Sequence, residues 1–341
     1  SFLLRDDFTQ MKDVSVIILN WNGAEMLRKY LPSVVKNSVE AEVVVADNGS
    51  TDESLSVLAE EFPTVRTIVL NKNYGFAEGY NKAIAQIDSE FVVLLNSDVE
   101  VTPQWLTPIL NYMETHPDVA SMQPKIRSWL HRDTFEHAGA AGGYLDILGY
   151  PFCRGRLLNY VEQDKGQYDS IADVLWTSGA CMCVRTRIYK EVGGLDGEFF
   201  AHMEEIDLCW RLNCRGYRLV CLPDSIVYHL GGGALAYENP RKTYLNFRNN
   251  MLMIYKNTPP NRLWWVLAVR FVLDYVAALQ LLITGKPQQA KAALQARKDY
   301  HRMKKHFTTK RTENMAKTIN PYPTGIRKRS VLWDFYVRGK R

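Results

Sequence analysis

The sequence predicts an α/β protein: a doubly wound, mostly parallel sheet flanked by helices, followed by a helical, basic C-terminal extension. Three observations carry this prediction. Short β-branched apolar runs alternate with helical patterns over residues 14–95, and each run ends in a polar or glycine-rich loop. Beyond Lys256 the chain becomes strongly basic.

The runs are "VSVIIL" (14–19), "AEVVVA" (41–46), "VRTIVL" (65–70) and "EFVVLL" (90–95). Near-continuous apolar character is expected of strands buried on both faces, and helical patterns at 24–36 and 52–62 supply crossovers of βαβ type. In such sheets ligands bind beyond the carboxyl ends of the strands. Four loops occupy that edge: "NWNG" (20–23), "DNGSTD" (47–52), "NKNYGFAEG" (71–79) and "NSD" (96–98). Turn formation explains Asn-Gly, and Ser50 or Thr51 suits a helix cap. Neither explains Trp21, nor Asp47 directly after a buried strand.

After residue 125 the alternation breaks. Residues 128–173 are rich in Gly, Tyr and Arg, "DVLWTSGACMCVR" (173–185) reads as a strand, a strand pair is expected at 217–229, and helical patterns run from Pro240 to about residue 307. The division is a domain at 11–257, with a donor half at 11–125 and an acceptor half at 126–257, and an extension at 258–341. Residues 262–284 are strongly apolar, but Arg270, Asp274 and Gln280 interrupt them. A spanning helix needs about 20 apolar residues with few charges. The expectation is therefore an interfacial helix or a core helix of the extension, not a span.

Net charge is +5, unevenly placed. From Lys256 onward 19 Lys+Arg face 4 Asp+Glu, a net +15, whereas the rest carries 23 against 33, a net −10. A basic tail on an acidic body calls for a polyanionic neighbour, and without a nucleic-acid motif the membrane surface is favoured over nucleic acid. Six cysteines lack paired C-x-x-C spacing and no signal-peptide pattern precedes them, which predicts a reduced, cytosolic compartment. Met11 opens the first patterned segment and reads as a natural start after an upstream extension.

The candidate chemistry is acidic. Asp98, after a buried strand, suits Mg²⁺ or Mn²⁺, whose remaining coordination substrate phosphates complete. In "FFAHMEEIDLCWR" (199–211), Asp207 and Arg211 are spaced to pair on one helical face, while Met203, Ile206 and Trp210 share another. Glu204 and Glu205 fit a helix N-terminus through the macrodipole alone. Phe199, Phe200 and Trp210 would add apolar walls that raise a carboxylate pKa towards that of a general base. His229, in "VYHLGGG", is either structural or a metal ligand at the rim.

Taken in order, "SVIILNWNG", "VVVADNGSTD", "NYGFAEGYNKA", "LLNSD", "TSGACM", "FFAHMEEIDLCWR" and "VYHLGGG" resemble glycosyltransferase family 2, inverting enzymes of GT-A fold, over about residues 13–257. Within that family the "NWNG" and "LLNSD" forms are most similar to bacterial rhamnosyltransferases of surface polysaccharide synthesis. The resemblance implies that Trp21 stacks on a pyrimidine beside the Leu19 backbone and that Asp47 accepts from the base N–H. Asn73 and Gly75 would lie near the diphosphate or sugar, Ser97 by the ribose, Asp98 on the metal, and His229 on the metal or phosphate. It also implies Glu205 as the base that deprotonates the acceptor hydroxyl.

Two departures stand out. Glu-Glu replaces the commoner Glu-Asp, so Glu204 competes for the role of base. Asn96 occupies the first position of the Asp-x-Asp pattern, where an amide is the weaker ligand. The implied activity is transfer of a sugar, L-rhamnose from dTDP-rhamnose, to a lipid-linked glycan by a peripheral enzyme on the inner face of the cell membrane. The alternatives are a non-catalytic nucleotide- or glycan-binding protein of the same fold and a nucleotidyltransferase. The latter is disfavoured because "NWNGAEML" lacks a glycine-rich basic phosphate loop.

Overall fold

A computed structural model describes residues 13–231 and 239–339. Met11, and Gly232 and Gly233 of "VYHLGGG", lie outside the described residues.

Residues 14–96 fold as the strand and helix patterns predict. Strands β1 (Val14–Asn20), β2 (Glu42–Asn48), β3 (Arg66–Leu70) and β4 (Phe91–Asn96) are parallel, and helices α1 (Ala24–Asn37), α2 (Ser54–Glu61) and α3 (Gly75–Ile84) connect them. Period-two alternation sends Ile17, Val44 and Leu94 into one core, and Val16, Ile18, Val45, Val93 and Leu95 into the other. Edge strand β3 departs from burial on both faces: Val69 is 61% exposed.

Next come β5 (Val99–Val101), α4 (Thr107–Thr115) and β6 (Val119–Ser128), then short strands β7 (Gly143–Asp146), β8 (Pro151–Cys153), β9 (Arg156–Leu157), β10 (Tyr160–Val161) and β11 (Ala172–Asp173). Of the predicted strand at 173–185 only β12 (Cys181–Arg185) is a full strand, antiparallel to both β4 and β6. Before it the chain crosses between sheets, with the Trp176 indole N–H donating to the Tyr144 carbonyl at 2.9 Å. Helices α5 (Thr186–Glu191) and α6 (Glu204–Cys214) follow. The expected pair at 217–229 is instead one strand, β13 (Arg218–His229), whose register with β6 shifts between Leu222 and Ile226. Pro223, lacking an N–H, falls at that irregularity. The nine-stranded sheet runs β11-β13-β6-β12-β4-β1-β2-β3, with β5 on β13.

Helix α7 (Pro240–Asn257) ends the part before the extension, and the extension holds α8 (Pro260–Ile283), α9 (Pro287–Ala316), β14 (Ile326–Arg327) and α10 (Val331–Tyr336). Helical structure thus reaches Ala316, beyond the expected 307. The extension also returns to the body: β14 pairs with β7, and the Val331 amide donates to Asp146 Oδ2 at 2.9 Å. Helix α8 is long and apolar enough to cross a membrane by length and composition. Two of the three residues that interrupt it, Arg270 and Asp274, are turned into the protein and buried.

Candidate active site

The carboxyl ends of β1 and β2 are cross-tied. The Asn20 amide donates to Asp47 Oδ1 at 3.1 Å and to Ser50 Oγ at 3.3 Å, while the Ser50 amide donates to Asp47 Oδ2 at 3.0 Å. Asn22, at φ 48°, accepts the Thr51 amide at 2.7 Å. The turn chemistry therefore serves to lock two loops together. Asp52, rather than Ser50 or Thr51, receives the helix-end amides of Ala24 and Ser54. Between these ties Trp21 stands 51% exposed, whereas Asp47 is fully buried. Leu19 lies against Gly79, where an added Cβ would come within 2.9 Å of its side chain.

Asn48, the residue after Asp47, organises the next loop. Its amide donates to Asn73 Oδ1 at 3.2 Å and to the Gly75 carbonyl at 3.0 Å, and its Oδ1 accepts the Tyr74 amide at 3.0 Å. Asn73 Oδ1 also accepts the Gly75 amide at 2.8 Å. The start of α3 then meets the opening motif of α6: the Phe200 carbonyl accepts from the Phe76 and Ala77 amides at 2.6 and 3.1 Å.

Asn96, Asp98 and His229 converge, with Ser97 in the turn between β4 and β5. His229 Nε2 lies 3.1 Å from Asp98 Oδ1 and 3.4 Å from the Asn96 amide nitrogen. Its Nδ1 lies 3.1 Å from Glu136 Oε2. Burial would lower the His229 pKa, but Glu136 and Asp98 outweigh it and push the imidazole up to about 10. Burial likewise pushes Glu136 up, yet His229 beside it holds the carboxylate below its usual range. Among the described residues no group of three or more His, Cys, Asp or Glu is arranged to hold a metal. The Asp98 carboxylate and the Asn96 amide oxygen fit a hard divalent ion that takes much of its coordination from substrate phosphates and water. His229, expected as a metal ligand or a structural residue, is instead held as a cation between Asp98 and Glu136, a state that suits a phosphate rather than a metal.

Helix α6 begins on strained backbone. Phe200, His202 and Met203 have φ of 65°, 71° and 72°, a left-handed region costly for residues with side chains. Asn249, fully buried on α7, holds the loop by donating to the carbonyls of Phe199, Ala201 and His202 at 2.9, 2.8 and 2.8 Å. Directly after it, Glu204 is buried, and each glutamate leaves a buried Oε2 without a hydrogen-bond partner. Burial, and then the neighbouring Glu205 charge, push Glu204 well above the ordinary carboxylate value. Burial also raises Glu205. Gly179 makes room at this point: a Cβ there would sit 3.3 Å from the Phe76 ring and 3.7 Å from Glu205 Cβ. Ala180, the next residue, accepts the Asn96 amide at 3.0 Å, so the glutamates and the Asn96–Asp98 turn flank one short segment.

The expected aromatic walls are partly corrected. Phe199 is buried on the far side, stacked on Phe307 at 6.1 Å with Lys256 over its ring. Phe76 instead lies against Gly179, the glycine that Glu205 also borders. Asp207 is structural, bonded to Arg211 Nε at 2.9 Å, Lys256 Nζ at 2.8 Å and the Asn257 amide at 2.8 Å. Glu136 and Asn249 carry no motif and are visible only once β6, β13 and α7 are assembled. Asn48 stood inside "DNGSTD" without a distinguishing signal.

The sheet, its flanking helices and its loop edge define a fold of GT-A type. It resembles that of Staphylococcus aureus TarS solved with UDP-GlcNAc, with TM-score 0.54 and 20% identity over 97% of this chain and 93% of that one. A mannosyltransferase from Pyrobaculum calidifontis, solved with GDP-Man and Mn²⁺, gives TM-score 0.52 and 15% identity over 91% and 86%. Residues 15–172 match the family model of glycosyl transferase family 2. Over that part, a little under half of its length, the chain is similar to the glycosyl transferases of family 2. The N-acetylglucosaminyl-diphospho-decaprenol L-rhamnosyltransferase of Mycobacterium tuberculosis is 28% identical over 239 residues, 64% of this chain and 76% of that protein. The likeness to bacterial rhamnosyltransferases expected from "NWNG" and "LLNSD" is thereby borne out.

Proposed function

We propose that the protein is an inverting glycosyltransferase that moves L-rhamnose from dTDP-rhamnose to a hydroxyl of a lipid-diphosphate-linked glycan, at the inner face of the cell membrane. The observation that carries this is the pair of glutamates at the start of α6, both held above the ordinary carboxylate range by burial, next to the Asn96–Asp98 turn across Gly179 and Ala180. Support for the sugar and for a lipid-linked acceptor comes from the named Mycobacterium tuberculosis relative.

In this proposal Trp21 stacks on the pyrimidine and Asp47 receives its imide proton, interactions that a flat ring with one N–H requires. Leu19, Asn73, Gly75 and Ser97 border the nucleotide and sugar. Asp98 and Asn96 would hold a divalent ion, Mg²⁺ or Mn²⁺, with the His229 cation beside them facing the phosphates. Such an ion, when bound, offsets charge on the departing diphosphate. Glu205 takes the proton of the acceptor hydroxyl as its oxygen bonds to the anomeric carbon. The carbon–phosphate oxygen bond breaks on the opposite face, releasing the nucleoside diphosphate with inversion. Burial of Glu205 makes it a stronger base than an exposed carboxylate. Glu204, more deeply buried and raised further, is suited to staying protonated beside it.

The test is nucleotide release from a panel of nucleotide-sugars, dTDP-rhamnose included, each with Mg²⁺, Mn²⁺ or EDTA and a lipid-linked acceptor. Metal-dependent release from dTDP-rhamnose alone is expected. Nucleotide binding without release from any donor, with acceptor present, would favour the non-catalytic reading that Asn96 allows.

A further inference from the structure

Helix α8 buries only a narrow stripe. Val266, Arg270, Asp274 and Ala278 follow at intervals of four and face the protein. Arg270 donates to the Leu148 carbonyl at 2.9 Å and to Asn250 Oδ1 at 2.6 Å, and Asp274 is held by Arg297 at 3.0 Å. The charges that interrupt the sequence are therefore consumed inside. Apart from Gln280, what remains outward is mainly apolar: Trp264, Phe271, Val272, Val276, Leu279 and Ile283 are 73, 47, 60, 55, 55 and 75% exposed. A face this wide on a soluble surface marks an interaction site.

Its surroundings say which. Between α7, α8 and α9 lies a groove of about 410 Å³ whose floor includes Trp264, Leu267 and Phe271 and whose α9 side carries Arg297, His301 and Lys304. Lys304 supplies the positive charge there, since Arg297 is paired with Asp274 and burial lowers the His301 pKa, and an apolar trough beside it matches an acyl chain joined to an anionic headgroup. Exposed Lys291, Lys298, Arg302 and Lys305 continue the positive charge along α9. On the other side, Arg270 lies 4.0 Å over the Tyr150 ring, in the turn that Asp146 ties to the start of α10. There Trp333 and Tyr336 are 60 and 66% exposed, after the exposed Arg327, Lys328 and Arg329. Aromatic residues next to cations are characteristic of a membrane interface.

We propose that α8 lies in the plane of the bilayer as the docking element of this protein and that the α8–α9 groove receives an anionic phospholipid. The proposal deepens, and rests on, the reading of a lipid-linked acceptor. It also gives α8 a position relative to the chemistry. Arg270 bonds Asn250, and the Asn250 amide contacts Met203 Sδ at 3.8 Å, immediately before Glu204. The membrane-facing helix is thus two contacts from the start of α6.

The test is flotation with vesicles of phosphatidylcholine alone or with phosphatidylglycerol, using the full chain, Val272→Glu/Val276→Glu/Leu279→Glu, and His301→Glu/Lys304→Glu. Binding to anionic vesicles is expected, with at least a tenfold loss for either variant. Because all the apolar positions are exposed, fold is checked by unchanged thermal unfolding and nucleotide binding. Failure of the full chain to float, or a triple variant that floats as well as the parent, overturns the proposal. So does resistance to alkaline carbonate extraction, which would mean a spanning helix, or a light-scattering mass showing a dimer that the triple variant dissolves without changing vesicle binding. Nucleotide release towards a detergent-solubilised acceptor is read separately, so loss of docking and loss of the glycosyltransferase reading are distinguishable.

Discussion

A Cβ built on Gly75 would lie 2.5 Å from the ring of Phe200, although the two residues are far apart in sequence. Gly75 sits at φ +79°, so side chains are excluded both by backbone conformation and by the packed ring. Phe200 in turn accepts the first amides of α3. The donor loop and the α6 loop are therefore one mechanical unit. Gly75→Ala is expected to cost about 1–3 kcal/mol from backbone strain alone. It should weaken nucleotide binding and sugar transfer together, as calorimetry and turnover measured on one preparation would reveal. Loss of transfer with intact nucleotide affinity would separate the two loops.

Glu205→Gln should reduce transfer by about 10²- to 10⁴-fold, the usual share of a general base, while leaving donor affinity close to that of the parent. The base works deprotonated, and burial raises its pKa, so activity should climb with pH through a value above the ordinary carboxylate range. Glu205→Gln should remove that acid limb. If the limb and the loss instead follow Glu204→Gln, the roles are exchanged.

Glu204 has a separate signature in stability. Its folded pKa is raised, so its contribution to stability is fully present below the unfolded pKa and is lost as pH rises through the folded one. Glu204→Gln is therefore expected to raise Tm at neutral pH and to flatten its decline between weakly acidic and neutral pH. An unchanged pH slope in thermal scans would mean that the buried carboxyl keeps no proton.

Much of this arrangement was legible before folding. Apolar runs marked β1 to β4 because each is flanked by helices that demand buried faces, and only the edge position of β3 escaped that logic. Asn96, Asp98 and Glu205 were marked by ordered motifs. Glu136 and Asn249 were not, since each acts through one long-range approach, to His229 and to the 199–202 carbonyls. The strand boundaries at 173–185 and 217–229 failed for a related reason: apolar sequence continues while the chain changes sheets or register. Helix α8 shows the same limit, because composition counts Arg270 and Asp274 but not the direction in which they point.

Asn96 makes a directional prediction. Asn96→Asp would add a hard anionic oxygen next to Asp98 and His229, and the concentration of Mg²⁺ or Mn²⁺ needed for half-maximal nucleotide binding should fall. Asp98→Ala should raise it by at least tenfold. Both are read by titrating metal at fixed nucleotide. Equal metal dependence in parent and Asp98→Ala would remove Asp98 from the metal site.

Asn249 offers a test of positioning without contact to substrate. One side-chain amide serves three carbonyls of a loop that holds three residues at positive φ, so the strained start of α6 persists because α7 grips it. Asn249→Asp keeps the shape but turns an oxygen towards those carbonyls. The lost bonds and the repulsion should cost about 2–4 kcal/mol, from roughly 1 kcal/mol for each neutral hydrogen bond plus the burial of unpaired groups. Asp47 is held by separate contacts between β1 and β2, so nucleotide affinity should fall much less than turnover. Turnover should fall at least tenfold as Glu205 loses its orientation. A variant that loses nucleotide affinity and turnover in parallel would show that the α6 loop supports the whole cleft, and Asn249 would then be a general stabiliser of the fold.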